Sequence, residues 1–276
     1  MRLFFSPTQW RTAHTSPHPL FQQPWMSCWN QEPDELHIMY LGTSQYFLGS
    51  SLFMLCYLIL PHSPQKNLDT IWATITAYYS SHGVATPYTN LSLNFFSEPN
   101  SPWAHYPKLA GRGAEIKEIV APLEATWALH VGTAKLKIGE DATQDVSAAL
   151  GHLLNMQDIL STHVDDSFLP RRVAKTFQSE TLSFLQRYSL LCNWADDAKL
   201  LLFSMVPKFH WLFHLADRAF WLNPRRGNTF IDEDFVGRMK SIVASCANGT
   251  AAHLAPTRFF EKYIWGMHLV FQFGLR

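Results

Sequence analysis

The sequence has no excess of charge of either sign, because 22 Lys and Arg residues balance 22 Asp and Glu residues. A protein that coats nucleic acid is normally clearly basic, so any contact with DNA has to come from a local patch. Charged residues make up only 16% of the chain and hydrophobic residues 47%, which excludes the composition of a disordered protein. We therefore expect the chain to fold into a domain with a substantial core.

Cysteine is scarce, and its four positions are scattered without a Cys-x-x-Cys pair: Cys28, Cys56, Cys192 and Cys246. This spacing argues against a disulfide framework and against a cysteine zinc site. Reduced thiols are typical of the cell interior. We therefore expect an intracellular protein, located in the nucleus or the cytoplasm.

Long apolar segments are also lacking. The N-terminus has only three consecutive apolar residues, Leu3 to Phe5, too few for the core of a signal peptide. The run 46–60 carries no charge, but it is shorter than the roughly 20 residues that a membrane-spanning helix needs. We predict that 46–60 is a buried core helix and that the protein has no membrane partner.

Residues 1–33 show no sustained periodicity and are rich in proline, at positions 7, 17, 19, 24 and 33. Such a segment predicts an extended N-terminal arm, and we expect the chain to be truncated upstream. Residues 34–276 then form a helical domain. The segment 84–110, rich in Pro, Ser, Asn and Tyr, marks a possible internal boundary within it.

The fold class predicted for 34–276 is mainly α, an irregular multi-helix domain with long loops. Apolar residues recur at helical spacing, and Pro, Gly and acidic residues mark the helix ends. No alternating pattern predicts a strand longer than a few residues. The predicted helices cover 34 to about 60, 67–81, about 115–137, 143–161, 173–203, 208–222, 229–245 and 256–273.

The sharpest local pattern is His210, His214 and Asp217. Positions i, i+4 and i+7 share one face of a helix, and two imidazoles with a carboxylate are a plausible set of metal ligands. Trp211 stands where a zinc peptidase would carry its glutamate, so this is not that motif. The alternative is two half-buried, hydrogen-bonded histidines, with Asp217 paired to a nearby arginine.

A second pattern is the turn that contains Arg225 and Arg226. Two arginines beside a glycine, ahead of a helix start, favour the binding of a nucleic-acid phosphate. Alternatively, they neutralise the acids that follow them.

Those acids are Asp232, Glu233 and Asp234. Clustered carboxylates are what a pair of Mg²⁺ or Mn²⁺ ions needs beside a phosphodiester. Acids in a first turn also complement the helix dipole, and Thr229 with Asp232 forms a capping pair. Asp34 and Glu35, ahead of His37, allow the same two interpretations.

Two segments carry a family resemblance. PDELHIMYLGTSQYFLGSSLFML resembles a block of RNase-H-like cut-and-paste transposases of the CACTA type. VPKFHWLFHLADRAFWLNPRRGNTFIDEDFVGRMKSI is similar, more closely, to C-terminal blocks of expanded, transposon-derived protein families predicted from dinoflagellate genomes. Together the segments cover roughly a fifth of the chain.

The resemblance implies catalytic carboxylates at Asp34 or Glu35 and at one of Asp232, Glu233 and Asp234. They would hold divalent ions that activate a nucleophile against a phosphodiester. An RNase-H-like core also needs a first carboxylate on a strand, and the only acid before Asp34 is Glu32. We therefore expect a truncated or decayed nuclease fragment with an incomplete catalytic set. The alternatives are a non-catalytic helical scaffold that binds proteins through aromatic surfaces, and a helical metal protein using His210, His214 and Asp217.

Overall fold

The structure is a computed structural model that describes residues 33–247, 249, 251 and 253–273. Within these residues the chain is mainly helical and has no strand, which confirms the predicted fold class. Apart from Pro33, the predicted N-terminal arm lies outside the described residues.

Contacts between Cα atoms divide the chain into a first unit that ends at Asn228 and a second that begins at Thr229. The segment 84–110, where the sequence suggested a boundary, lies inside the first unit. The helices of the first unit are α1 (Leu36–Ser44, Gln45–Phe53 and Met54–Ile59), α2 (Pro64–His82), α3 (Gly113–Glu118), α4 (Val120–Ile138), α5 (Glu140–Thr162), α6 (Arg171–Asp197) and α7 (Pro207–Arg218). Those of the second unit are α8 (Phe230–Ala247) and α9 (Ala255–Phe273).

Helix α1 forms the centre of the first unit. Its middle segment is α-helical, whereas Leu36–Ser44 and Met54–Ile59 have π-helical hydrogen bonding. Most of its side chains are buried, including Phe47, Leu52 and Met54. The uncharged run 46–60 is therefore a core helix, as predicted. Among the described residues, no helix is both long and apolar enough to span a membrane.

The other helices of the first unit pack around α1. Its last segment contacts α2 and α4, and its first segment contacts α3 and α7. Helix α5 packs between α4 and α6, and α6 also contacts α7. The core is rich in aromatic rings: Phe47 lies edge-on to Phe184 with ring centroids 5.5 Å apart, and Tyr188 stacks on Phe209 at 4.0 Å.

An extended segment crosses the middle of α1. The backbone N–H of Leu109 donates to the Gln45 carbonyl at 2.9 Å. Gly49 makes this approach possible, because a Cβ there would lie 2.7 Å from the Leu109 nitrogen and 2.9 Å from the Lys108 Cα. The irregular segment 84–110 is thus fixed to the core by backbone contact.

Three predicted helices differ from those observed. The helix expected over 208–222 ends at Arg218. The helix expected over 115–137 is interrupted at Ile119, between α3 and α4. The helix expected over 173–203 ends at Asp197, because Lys199 and Phe203 adopt left-handed backbone conformations with φ of 58° and 54°. After this turn the Phe203 N–H donates to the buried Ser50 hydroxyl at 2.9 Å, which holds the loop against α1.

The second unit consists of α8 and α9, which pack against each other. Lys262 on α9 donates to the Ser245 hydroxyl near the end of α8 at 2.9 Å. The observed bounds of both helices agree with those predicted to within two residues,.

Candidate functional site

The two acids at the start of α1 have different surroundings. Asp34 accepts a hydrogen bond from the Leu36 N–H at 3.0 Å and pairs with the His37 imidazole. These are the contacts of a residue that caps a helix start. Glu35, the next residue, is completely buried.

Glu35 forms an ion pair with Arg225. The Arg225 Nη1 atom lies 3.4 and 3.5 Å from the two carboxylate oxygens. Burial raises the pKa of Glu35, and the Arg225 charge, the Tyr40 hydroxyl and Lys117 oppose that rise without cancelling it. Burial, together with the neighbouring Glu35 charge, also raises the pKa of Tyr40. The carboxylate therefore joins the start of α1 to the turn after α7, and its burial keeps it away from solvent ions.

We expect replacement of Glu35 by glutamine to change how stability depends on pH. Because the pKa of Glu35 is raised, the folded chain binds the proton of the Glu35 carboxyl group more tightly than the unfolded chain, in which this glutamate has the ordinary pKa of 4.5. The cost of ionising Glu35 is therefore absent below that pH and grows as the pH rises through the raised pKa. Relative to Glu35→Gln, the wild type should lose stability with rising pH. Urea unfolding of both proteins from pH 4 to pH 8 measures the difference, and a difference that is constant or of opposite slope would contradict the ionisation cost.

The turn after α7 is held by Asn223, which is completely buried. Its side-chain amide donates to the carbonyls of His163 and Asp166 at 2.7 and 2.8 Å. Its side-chain oxygen accepts from the Arg225 N–H at 3.1 Å. The turn Pro224–Gly227 is thereby fixed to the loop between α5 and α6.

Both arginines of this turn have acceptors within the protein. Arg226 donates to the backbone carbonyls of Asp165 and Asp166, and Arg225 faces Glu35. These contacts use the Nη1 atom of Arg225 and the Nε and Nη2 atoms of Arg226. Both arginines therefore help to hold the turn, and the binding of a nucleic-acid phosphate by them stays a prediction.

The acidic residues Asp232, Glu233 and Asp234 lie in the first turns of α8. Their side chains lie outside the described residues. The predicted Mg²⁺ or Mn²⁺ site that includes them therefore stays a prediction.

The structure brings His210 and His214 together on α7. Their Nε2 atoms are 2.9 Å apart, and their rings are nearly perpendicular, with centroids 4.4 Å apart. Partial burial and the neighbouring His210 lower the pKa of His214, whereas Asp217 opposes the shift. Within the described part of the chain, no three His, Cys, Asp or Glu side chains form a group that could hold a metal ion. Asp217 therefore does not complete a three-ligand site with the histidine pair.

The histidines lie in the middle of an exposed helix face, which we call the α7 face: His210, Trp211, Phe213, His214 and Asp217. The opposite side of α7 is buried through Phe209, Leu212, Leu215 and Ala216. Trp211 is 50% exposed and Phe213 41% exposed, and both rings contact the His214 ring with centroids 5.7 Å apart. This face was not predicted from the sequence, although a helical projection of 207–218 separates the two sides.

A contact that was not predicted from the sequence fixes α7 against α1. The Lys208 ammonium donates to the Leu41 carbonyl at 2.7 Å, and its side chain passes so close to Gly42 that a Cβ there would lie 2.9 Å from Lys208 Cδ. Because these residues are far apart in sequence, only the tertiary structure reveals the contact.

Comparison of the chain with protein families, with curated proteins and with solved structures found no match.

Proposed function

We propose that the chain is a non-catalytic helical module that binds a protein partner through the α7 face. The observation that supports this function is the exposure of Trp211 and Phe213, one on each side of His214, on a helix whose other side is buried. Single exposed apolar residues are ordinary, but two large rings on one exposed helix face are typical of interaction surfaces. Tryptophan is also enriched among the residues that dominate binding energy.

The surroundings of the candidate catalytic residues support the same function. Asp34 caps α1, Glu35 is buried against Arg225, and Arg226 binds backbone carbonyls. A two-metal nuclease needs carboxylates that are open to ions and substrate. The two candidate acids whose side chains are described are instead engaged in holding α1 in place.

The partner expected from this chemistry is a protein that presents aliphatic or aromatic side chains to the α7 face. Trp211→Ser combined with Phe213→Ser removes the two rings from exposed positions, so the fold should be retained. The matched control is Leu129→Ser combined with Leu136→Ser on α4, where the replaced side chains are 69% and 87% exposed.

Crosslinking in cells, followed by purification of the crosslinked protein and calorimetry, tests the proposed binding. We expect the α7 variant to weaken binding by about 2 kcal/mol, or roughly thirtyfold, whereas the α4 variant binds as the wild type does. Equal binding by the wild type and the α7 variant, or no crosslinked protein at all, would overturn the assignment.

Descent from a transposase-like nuclease stays a prediction, and the proposed lack of catalysis is testable separately. Supercoiled DNA incubated with the chain and Mg²⁺ or Mn²⁺ should remain uncut. Metal-dependent nicking that disappears in an Asp232→Ala/Asp234→Ala variant would show that the chain is a nuclease after all.

A further inference from the structure

We propose that His210 and His214 bind one divalent transition-metal ion of the copper and nickel class through their two Nε2 atoms. The two residues are one helical turn apart on α7, so both imidazoles extend from the same side of one rigid element,. Neutral imidazole is a ligand that suits copper, nickel and zinc, whereas magnesium and calcium prefer oxygen.

The separation of the two nitrogen atoms favours a particular coordination geometry. With metal–nitrogen bonds of about 2.0–2.1 Å, two nitrogens 2.9 Å apart subtend an angle of roughly 90° at the ion. That is the angle between neighbouring ligands in square-planar and tetragonal complexes, which copper(II) and nickel(II) form. Tetrahedral zinc needs an angle of about 109°, which corresponds to nitrogens roughly 3.3 Å apart.

The surroundings of the pair leave room for further ligands. His210 is exposed and His214 half-buried, so water can complete the coordination shell. The negative charge of Asp217 lies near His214 and favours a bound cation, whereas Arg218 opposes it. Two protein ligands and open positions describe a site that is chelating but not enclosed.

Nickel(II) is the probe of choice, because copper(II) oxidises free thiols and the chain has four cysteines. Calorimetric titration of the purified chain is compared with titrations of His210→Gln and His214→Gln. His105→Gln is the matched control, because it removes an exposed histidine from the 84–110 segment. Circular dichroism before each titration shows whether the variants keep their helices, and both α7 substitutions leave the buried side of α7 unchanged.

We expect the wild type and His105→Gln each to bind one more nickel ion per chain than His210→Gln or His214→Gln does within the same concentration range. Loss of a group that merely orients a ligand typically lowers metal affinity by about 10–100-fold. Loss of one imidazole, which is itself a ligand, should therefore lower the affinity for this nickel ion by about tenfold or more. Zinc should bind the wild type more weakly than nickel.

The site is refuted if either histidine variant retains the full nickel stoichiometry and affinity, since the chelate needs both rings. It is equally refuted if His105→Gln reduces nickel binding as much as His210→Gln and His214→Gln do. The experiment uses no protein partner, so its outcome is independent of whether the α7 face binds one.

Discussion

Replacing Gly49 by alanine is expected to destabilise the protein by about 2–3 kcal/mol. The added methyl group would lie 2.7 Å from the Leu109 nitrogen and 2.9 Å from both the nitrogen and the Cα of Lys108. All three are backbone atoms, so no side chain can rotate away to make space. To relieve the overlap the crossing segment must move, and that movement weakens the hydrogen bond from Leu109 to the Gln45 carbonyl.

Gly151→Ala in α5 is the matched control, because a Cβ at that position meets no atom within 4 Å. Alanine is the better helix former by about 1 kcal/mol, so this variant should be slightly more stable than the wild type. Urea unfolding followed by circular dichroism measures both variants on the same scale. If Gly49→Ala is as stable as the wild type, the close crossing of α1 by the 108–109 backbone is not a feature of the folded protein.

Local sequence signals predicted most of the helices. Pro33 and the acids after it fixed the start of α1, and Pro61 its end. Helical periodicity placed α5 and α9 to within three residues at each end,. The end of α6 was missed because Lys199 and Phe203 take left-handed conformations that favour glycine,. Their placement depends on a long-range contact, the bond from the Phe203 N–H to Ser50.

The candidate site was predictable only where helix geometry alone decides it. His210 and His214 meet because residues four apart share a helix face,. The roles of Glu35 and Arg225, in contrast, depend on a contact between residues 190 positions apart. The sequence marked both as functional, but it contained no signal that each is the other's partner and that burial removes the carboxylate from solvent.

Asn223→Asp is expected to destabilise the protein by about 4 kcal/mol or more. Aspartate has the shape of asparagine and keeps the oxygen that accepts from the Arg225 N–H. It loses the two donors to the His163 and Asp166 carbonyls and places an oxygen about 2.8 Å from them. Each buried acceptor left without a donor costs about 1–3 kcal/mol, and a buried charge adds further cost.

Asn223→Ala separates the two contributions, because it introduces no charge: it loses both donated hydrogen bonds and, unlike aspartate, also the bond accepted from the Arg225 N–H. Asn193→Asp on α6 is the control for the chemical change alone, since Asn193 is exposed and a surface substitution usually changes stability by less than about 0.5 kcal/mol. Chemical denaturation at neutral pH ranks the three variants. We expect Asn223→Asp to be the least stable and Asn193→Asp to match the wild type.

The pH dependence of the Asn223→Asp variant provides a second measurement of the same contact. An aspartate enclosed by carbonyl oxygens holds its proton more tightly when the chain is folded, so the variant should regain stability relative to the wild type as the pH falls, because the protonated acid again has a donor. No recovery at low pH, together with a loss equal to that of Asn223→Ala, would mean that the turn opens and exposes the new side chain to water. In that case the turn after α7 is joined only weakly to the loop between α5 and α6. The turn would then not hold Arg225 against Glu35; instead, the ion pair between Arg225 and Glu35 would hold the turn.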